Sequence, residues 1–326
     1  MNRAFKSASI ALFIFLSLAI LLVSQRRNIS DWYKLSNYNP PSSISSLATQ
    51  DTFTPYAKKL FYINQPVLIS GAEFRNKCPN SDPTSSEILG CYHPIMNGIY
   101  LYIVSDPTLN GVGQVTAAHE MLHAAWSRLD SNKKTILTNE LNAFFANDLK
   151  DPKIKNEIAI YQKTEPFAVA DEMHSTFGTE CPNLPTDLEN YYKALFINRE
   201  TVVGFSTGYK QIFTNYQNQI KEDNLQLQSL KSIINNDLNS ISSKFTDINN
   251  FKSGMDVLLS EHNFSQYNQD VSIYNQQIDE YNNLIQTTKD LITQYNDLVS
   301  QVNSTSTVFN NLSSELNSNL STLPTK

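Results

Sequence analysis

His119-Glu120-Met121-Leu122-His123 reads H-E-x-x-H and lies within an apolar, Gly-free run, Val115 to Leu129. Such a run forms a helix, and on a helix residues four apart share a face. His119 and His123 can therefore bind one Zn²⁺ through imidazole nitrogens. Glu120 stands beside them as a candidate general base. The chain has five histidines in 326 residues, and two of them fall in this pentapeptide. The plain alternative is an amphipathic helix carrying two part-buried histidines.

The flanks support the first reading. Ile99-Tyr-Leu-Tyr-Ile-Val104 is β-branched and aromatic and reads as a strand. Asp106-Pro107 and Asn110-Gly111 mark a turn, and the helix follows at about Gly113. Strand, short loop and metal helix together resemble the zincin metallopeptidases over roughly residues 95–180. The resemblance implies a zinc-dependent hydrolase acting on a protein or peptide. It also implies that the strand is an exposed edge to which a peptide can add. Metzincins place Gly and His three and six residues after the second His. Here those positions are Trp126 and Leu129, so that branch is excluded. A gluzincin-like arrangement fits better, and it takes a Glu from a later helix as third ligand.

A catalytic zinc site has three protein ligands and one open position. The downstream candidates are Glu140, Glu157, Glu165, Glu172, His174 and Glu180. Glu140 falls in a helical stretch, Lys133–Leu149, and is readable as a solvated charge. Thr164–Gly178 reads as a helix capped by Thr164, with Pro166 in its first turn and Gly178 at its stop. Glu172, 49 residues after His123, is the gluzincin-like choice of ligand. His174 competes through periodicity, since Phe167, Ala170, His174 and Phe177 follow 3-4-3 spacing. Glu172 is taken as the ligand and His174 as a transition-state or supporting group able to bond an oxyanion. Asp171 is placed to orient a ligand imidazole. Tyr191 and Tyr192 are further oxyanion candidates.

The expected fold class is α+β, mainly α. A small zincin-like domain, with a short sheet, an active-site helix and a glutamate helix, occupies residues 56–205. Within it, Phe61–Ser70 reads as a strand. Residues 206–303 show apolar positions alternating four and three apart, from Tyr267, Val271, Tyr274 and Ile278 onward to Val302. That is a coiled-coil pattern. A rougher series runs from Phe213 to Ile248, with Asp223 on the seam and a stutter at Ile234–Leu238. A turn within Asn249–Gln266 makes an antiparallel hairpin, with pairing between chains as the alternative. Residues 304–326 read as a disordered tail.

Residues 1–27 read as an uncleaved signal anchor or transmembrane helix, with a cleaved signal peptide as the competitor. Residues 28–55, including Pro40-Pro41-Ser-Ser, read as a stalk. Cys78 and Cys91 flank a polar loop and suit a disulfide. Cys181 is left over, free or paired with one of them. A membrane-anchored protein with an extracytoplasmic catalytic domain is therefore expected. The net charge of −6 argues against nucleic acid as a partner. The competing functional reading is an inactive or structural zinc domain that presents a coiled coil to a protein partner. A weaker third reading is a hydrolase of a non-peptide bond, because H-E-x-x-H does not choose the acyl group.

Overall fold

The computed structural model describes residues 2–79, 88–94 and 98–318. The chain divides into two units. One is Met1–Gln211 together with Leu312–Lys326, and the other is Ile212–Asn311. Helices dominate both, alongside one three-stranded sheet.

In the first unit α1 spans Asn2–Ser36, α2 Ser42–Gln50 and α3 Pro55–Ile63. The expected stalk is corrected here, because α2 buries Ile44, Leu47 and Ala48 in the main core. Part of the expected strand Phe61–Ser70 is also corrected. Thr54 caps α3 by accepting from Ala57 N–H, and Pro55 fits the first turn, so the helix continues through Ile63. Only Val67–Ile69 remains as strand β1. Helix α4 follows at Gly71–Lys77.

Strands β2, Gly90–His93, and β3, Gly98–Tyr102, complete the sheet in the order β1-β3-β2. Strand β3 pairs parallel to β1, with Val67 opposite Tyr100, and antiparallel to β2, with Cys91 opposite Tyr100. The strand read from Ile99–Val104 is therefore central, with Ile99 and Leu101 fully buried. The edge beside the site belongs to β2.

Helix α5, Val112–Trp126, begins after the turn Pro107–Leu109, with Gly111 at φ 107° as its N-cap. Only glycine adopts that conformation without strain. Helix α5 is buried on almost every side, and its Ala117, Ala118, Ala124 and Ala125 let neighbouring elements approach closely. Around it pack α6 (Ser131–Asn147), α7 (Pro152–Thr164), α8 (Val169–Glu180) and α9 (Thr186–Tyr192). Asp151 caps α7 with Pro152 at the first turn, so Thr164 ends α7 and does not begin α8. Phe167 is fully exposed in the link, whereas His174 and Phe177 are fully buried. The apolar face read from the sequence therefore starts one turn later than its spacing implied.

Among the described residues no helix is long and apolar enough to cross a membrane. The expected membrane anchor, and the localisation built on it, are corrected accordingly. Seventeen apolar residues span roughly 25 Å, at the short end for a hydrocarbon core of about 30 Å. Helix α1 then continues past Arg26, Arg27 and Asn28 to Asp31. Asp31 is buried and accepts two hydrogen bonds from Arg128, at 2.5 and 2.8 Å.

The second unit is an antiparallel pair made by the parts of α10 (Arg199–Ser260) and α11 (Phe264–Glu315) that lie within Ile212–Asn311. Early residues of one helix meet late residues of the other. Phe213 packs on Phe309, Gln301 donates to Asp223, and Lys244 pairs with Glu280. The turn is Glu261–Asn263, with His262 at φ 58°. The expected tail is helical as far as Glu315, and residues 319–326 lie outside the described residues.

Candidate metal centre

Two helices build the site. Helix α5 presents His119 and His123 one turn apart, with ring centroids 4.8 Å from each other. Helix α8 brings Glu172 across to meet them. Its Oε2 lies 3.7 Å from His119 Nε2, and its Oε1 lies 3.7 Å from His123 Nε2. The two helices come this close because α8 has Gly178 at the contact. A Cβ there would stand 2.6 Å from Leu122 Cδ1 and 2.7 Å from Tyr192 Cε1. Arg199 secures the far end of α8 by donating to the carbonyl oxygens of Phe177, Gly178 and Cys181. Those are the acceptors a helix C-terminus otherwise leaves unpaired.

The donor set suits a divalent metal. Ligand atoms of His119, His123 and Glu172 all lie within 4.8 Å of one another. Tetrahedral zinc, with bonds of about 2.0–2.2 Å, sets its ligands roughly 3.3 Å apart. The observed 3.7 Å separations are close to that. Two imidazoles and one carboxylate leave a fourth position for water or substrate.

Asp171 Oδ1 accepts from His123 Nδ1 at 2.7 Å, which turns Nε2 of the same ring toward Glu172. Burial opposes a charge on His123, but the bond to Asp171 and the surrounding carboxylates outweigh it and push the group up to about 10. Burial likewise opposes a charge on His119, yet its contact with Glu172 leaves it raised. Glu172 is lowered, since the two imidazoles overcome the cost of its burial. The carboxylates of Glu172 and Asp171 thus favour positive charge on the two rings.

Glu120 is buried, at 5% exposure, and burial raises its pKa. It lies beneath β2. A Cβ on Gly90 would be 2.6 Å from Glu120 Oε1 and 2.7 Å from Thr116 Cγ2, so strand and carboxylate are in direct contact. Further along the same strand, the Tyr92 hydroxyl is 2.9 Å from Ser127 Oγ at the end of α5.

His174 lies elsewhere. It is fully buried, with its ring 5.3 Å from Trp126 and stacked 5.6 Å from Tyr192. Its Nε2 is 2.9 Å from the Tyr191 hydroxyl, and the Tyr192 hydroxyl donates to its carbonyl at 2.6 Å. Burial first, and then the charges of His123 and His119, hold it well below the usual histidine range. A side chain with no accessible surface does not touch a substrate oxyanion. Tyr191, which bonds to this ring, is part-buried.

The remaining carboxylates are dispersed. Glu140 is on α6, where burial and Asp187 raise it. Glu165 caps the end of α7, and Glu180 pairs with Lys210. Glu157 and Tyr161 share one face of α7. Burial raises Tyr161, followed by the charge of Glu172. Burial and the charge of Glu180 move Glu157 upward, although the residue is exposed and solvent tempers the effect. Tyr161 and Gly90 are the neighbours that sequence reasoning missed. A Glu and a Tyr four apart on an amphipathic helix were the available signal for Tyr161. Gly90 had none.

No known protein family, curated protein or solved structure matches this chain.

Proposed function

We propose that this chain is a zinc-dependent metallopeptidase of zincin-like, gluzincin-like type. One observation carries the reading: His119, His123 and Glu172 converge from two helices, and Glu120 lies one residue from the first ligand. When bound, Zn²⁺ supplies Lewis-acid activation of water and polarises a carbonyl. Glu120 takes the proton of the attacking water and returns it to the leaving amine nitrogen. Burial raises its pKa, which favours its taking up a proton. Asp171 holds the His123 ring in the tautomer that leaves Nε2 free. Tyr191, part-buried and bonded to His174, is assigned as the donor to a developing oxyanion. A peptide substrate adds to the free edge of β2, whose backbone crosses Glu120.

The test pairs activity with metal content. Glu120→Gln is expected to abolish hydrolysis of a labelled casein while retaining one zinc per chain. Full activity in that variant would refute the assignment.

A protein partner for the hairpin is a second part of the proposal. Leu238 and Phe245 sit on the heptad seam yet remain 48% and 55% exposed, because two helices cover only one side of such residues.

A further inference from the structure

We propose that the Cys78–Cys91 disulfide holds the edge strand β2 against Glu120, so that its reduction releases the general base from its support. The inference rests on the role assigned to Glu120 above and adds a redox control to it.

Strand β2 has four residues and pairs with β3 along one side. A strand this short, on an edge, has little hold of its own. Three side-chain ties add to that pairing. The Tyr92 hydroxyl meets Ser127 of α5, 2.9 Å away, and His93 Nε2 lies 2.6 Å from the Lys77 carbonyl. The third tie is covalent: Cys91 is bonded to Cys78, with Cα atoms 5.8 Å apart. Gly90, the residue that touches Glu120, directly precedes Cys91.

The anchor behind the disulfide is firm. Cys78 ends α4 and is buried with Phe74 and Tyr102. The rings of Phe74 and Tyr102 pack edge to face at 5.3 Å. Arg75 of the same helix donates to the Ser318 carbonyl. The disulfide thus transmits the position of a packed helix to the strand that lies against Glu120.

The bond is open to exchange from one side. Cys78 is 5% exposed, whereas Cys91 is part-exposed. A thiolate of an external dithiol attacks the Cys91 sulfur, and the Cys78 sulfur leaves as a thiolate that takes up a proton. The second thiol of the reductant then attacks its own sulfur in the mixed disulfide and releases Cys91 as a thiol. Two electrons and two protons pass to the protein, and the dithiol leaves as its cyclic disulfide.

The test uses the full zinc-loaded chain in three forms: oxidised, treated with dithiothreitol, and as Cys78→Ser/Cys91→Ser. Reduction and the double variant are expected to speed amide exchange in Gly90–His93 at least tenfold. They are also expected to leave zinc stoichiometry unchanged and to lower kcat on labelled casein at least tenfold, with little change in KM. Cys181→Ala keeps the full response. Exchange that does not change on reduction overturns the proposal, as does faster exchange with unaltered kcat. Treating the wild-type chain with reductant keeps the test valid if the double variant fails to fold. An oxidised, zinc-loaded protein that hydrolyses nothing refutes the peptidase reading separately. Amide exchange alone then decides whether the disulfide holds β2.

Discussion

His123 Nδ1 and Asp171 Oδ1 lie 2.7 Å apart, joining α5 to α8, the helix that brings Glu172. One short bond therefore selects the tautomer of a candidate ligand and locks the two helices in register. Replacing Asp171 with Asn keeps the shape and removes the charge. Zinc affinity, measured by competition with a chromophoric chelator, is expected to fall about 10–100-fold. Far-ultraviolet circular dichroism is expected to stay unchanged.

Glu172 and His174 sit two residues apart on α8 and face different surroundings. Glu172→Ala is expected to reduce bound zinc well below one equivalent, as measured by elemental analysis of the purified chain. His174→Phe is expected to keep the zinc and lose stability instead. Its ring is packed between Trp126 and Tyr192, and the substitution removes its bond to Tyr191. The reverse pattern would make His174 the ligand.

Glycine substitutions on two helices are expected to have opposite signs. Gly178→Ala forces a Cβ to 2.6 Å from Leu122 and separates α8 from α5. Urea unfolding is expected to show a loss of about 1–3 kcal/mol, accompanied by weaker zinc binding. Gly254 on α10 has nothing within 4 Å of its would-be Cβ. There the same change is expected to add about 0.5–1 kcal/mol through helix propensity.

Asp51 is fully buried, and among the described residues neither carboxylate oxygen has a hydrogen-bond partner. Burial raises its pKa well above the usual carboxylate range. A group raised on folding contributes stability fully below its unfolded pKa of about 3.9, and that contribution is lost as pH rises through the folded value. Asp51→Asn removes this penalty. Thermal unfolding is expected to show little difference between the two proteins near pH 4 and a clear gain for the variant at pH 7. An equal difference at both values would place the effect in packing.

Some of the site was legible because it is local. H-E-x-x-H sets both imidazoles on one helical face through backbone geometry alone, and the pairing of Asp171 with a ligand imidazole followed from its place beside Glu172. The heptads of residues 206–303 likewise carried the hairpin, since alternating steps of four and three need only a helix to form a stripe. Phe61–Ile63 was misread because β-propensity is weaker than a capped start, and Thr54-Pro55 supplies one. The edge strand was misassigned because pairing order is not encoded in the composition of a strand. Residues 99–102 became central only when Val67–Ile69 paired on one side and Gly90–His93 on the other.

By itself, then, the sequence determined the two imidazoles, the carboxylate of Glu120 beside them, the mainly helical class and the long hairpin, all of which depend on contacts within a few residues. Only the tertiary structure decided which carboxylate meets the imidazoles, because that choice is made by the close approach of α5 and α8 at Gly178. It also decided that His174 packs in the core, that Ile44, Leu47 and Ala48 are buried, and that Gly90 lies against Glu120. Each of these depends on which surfaces exclude water together, and residues far apart in the chain settle that jointly.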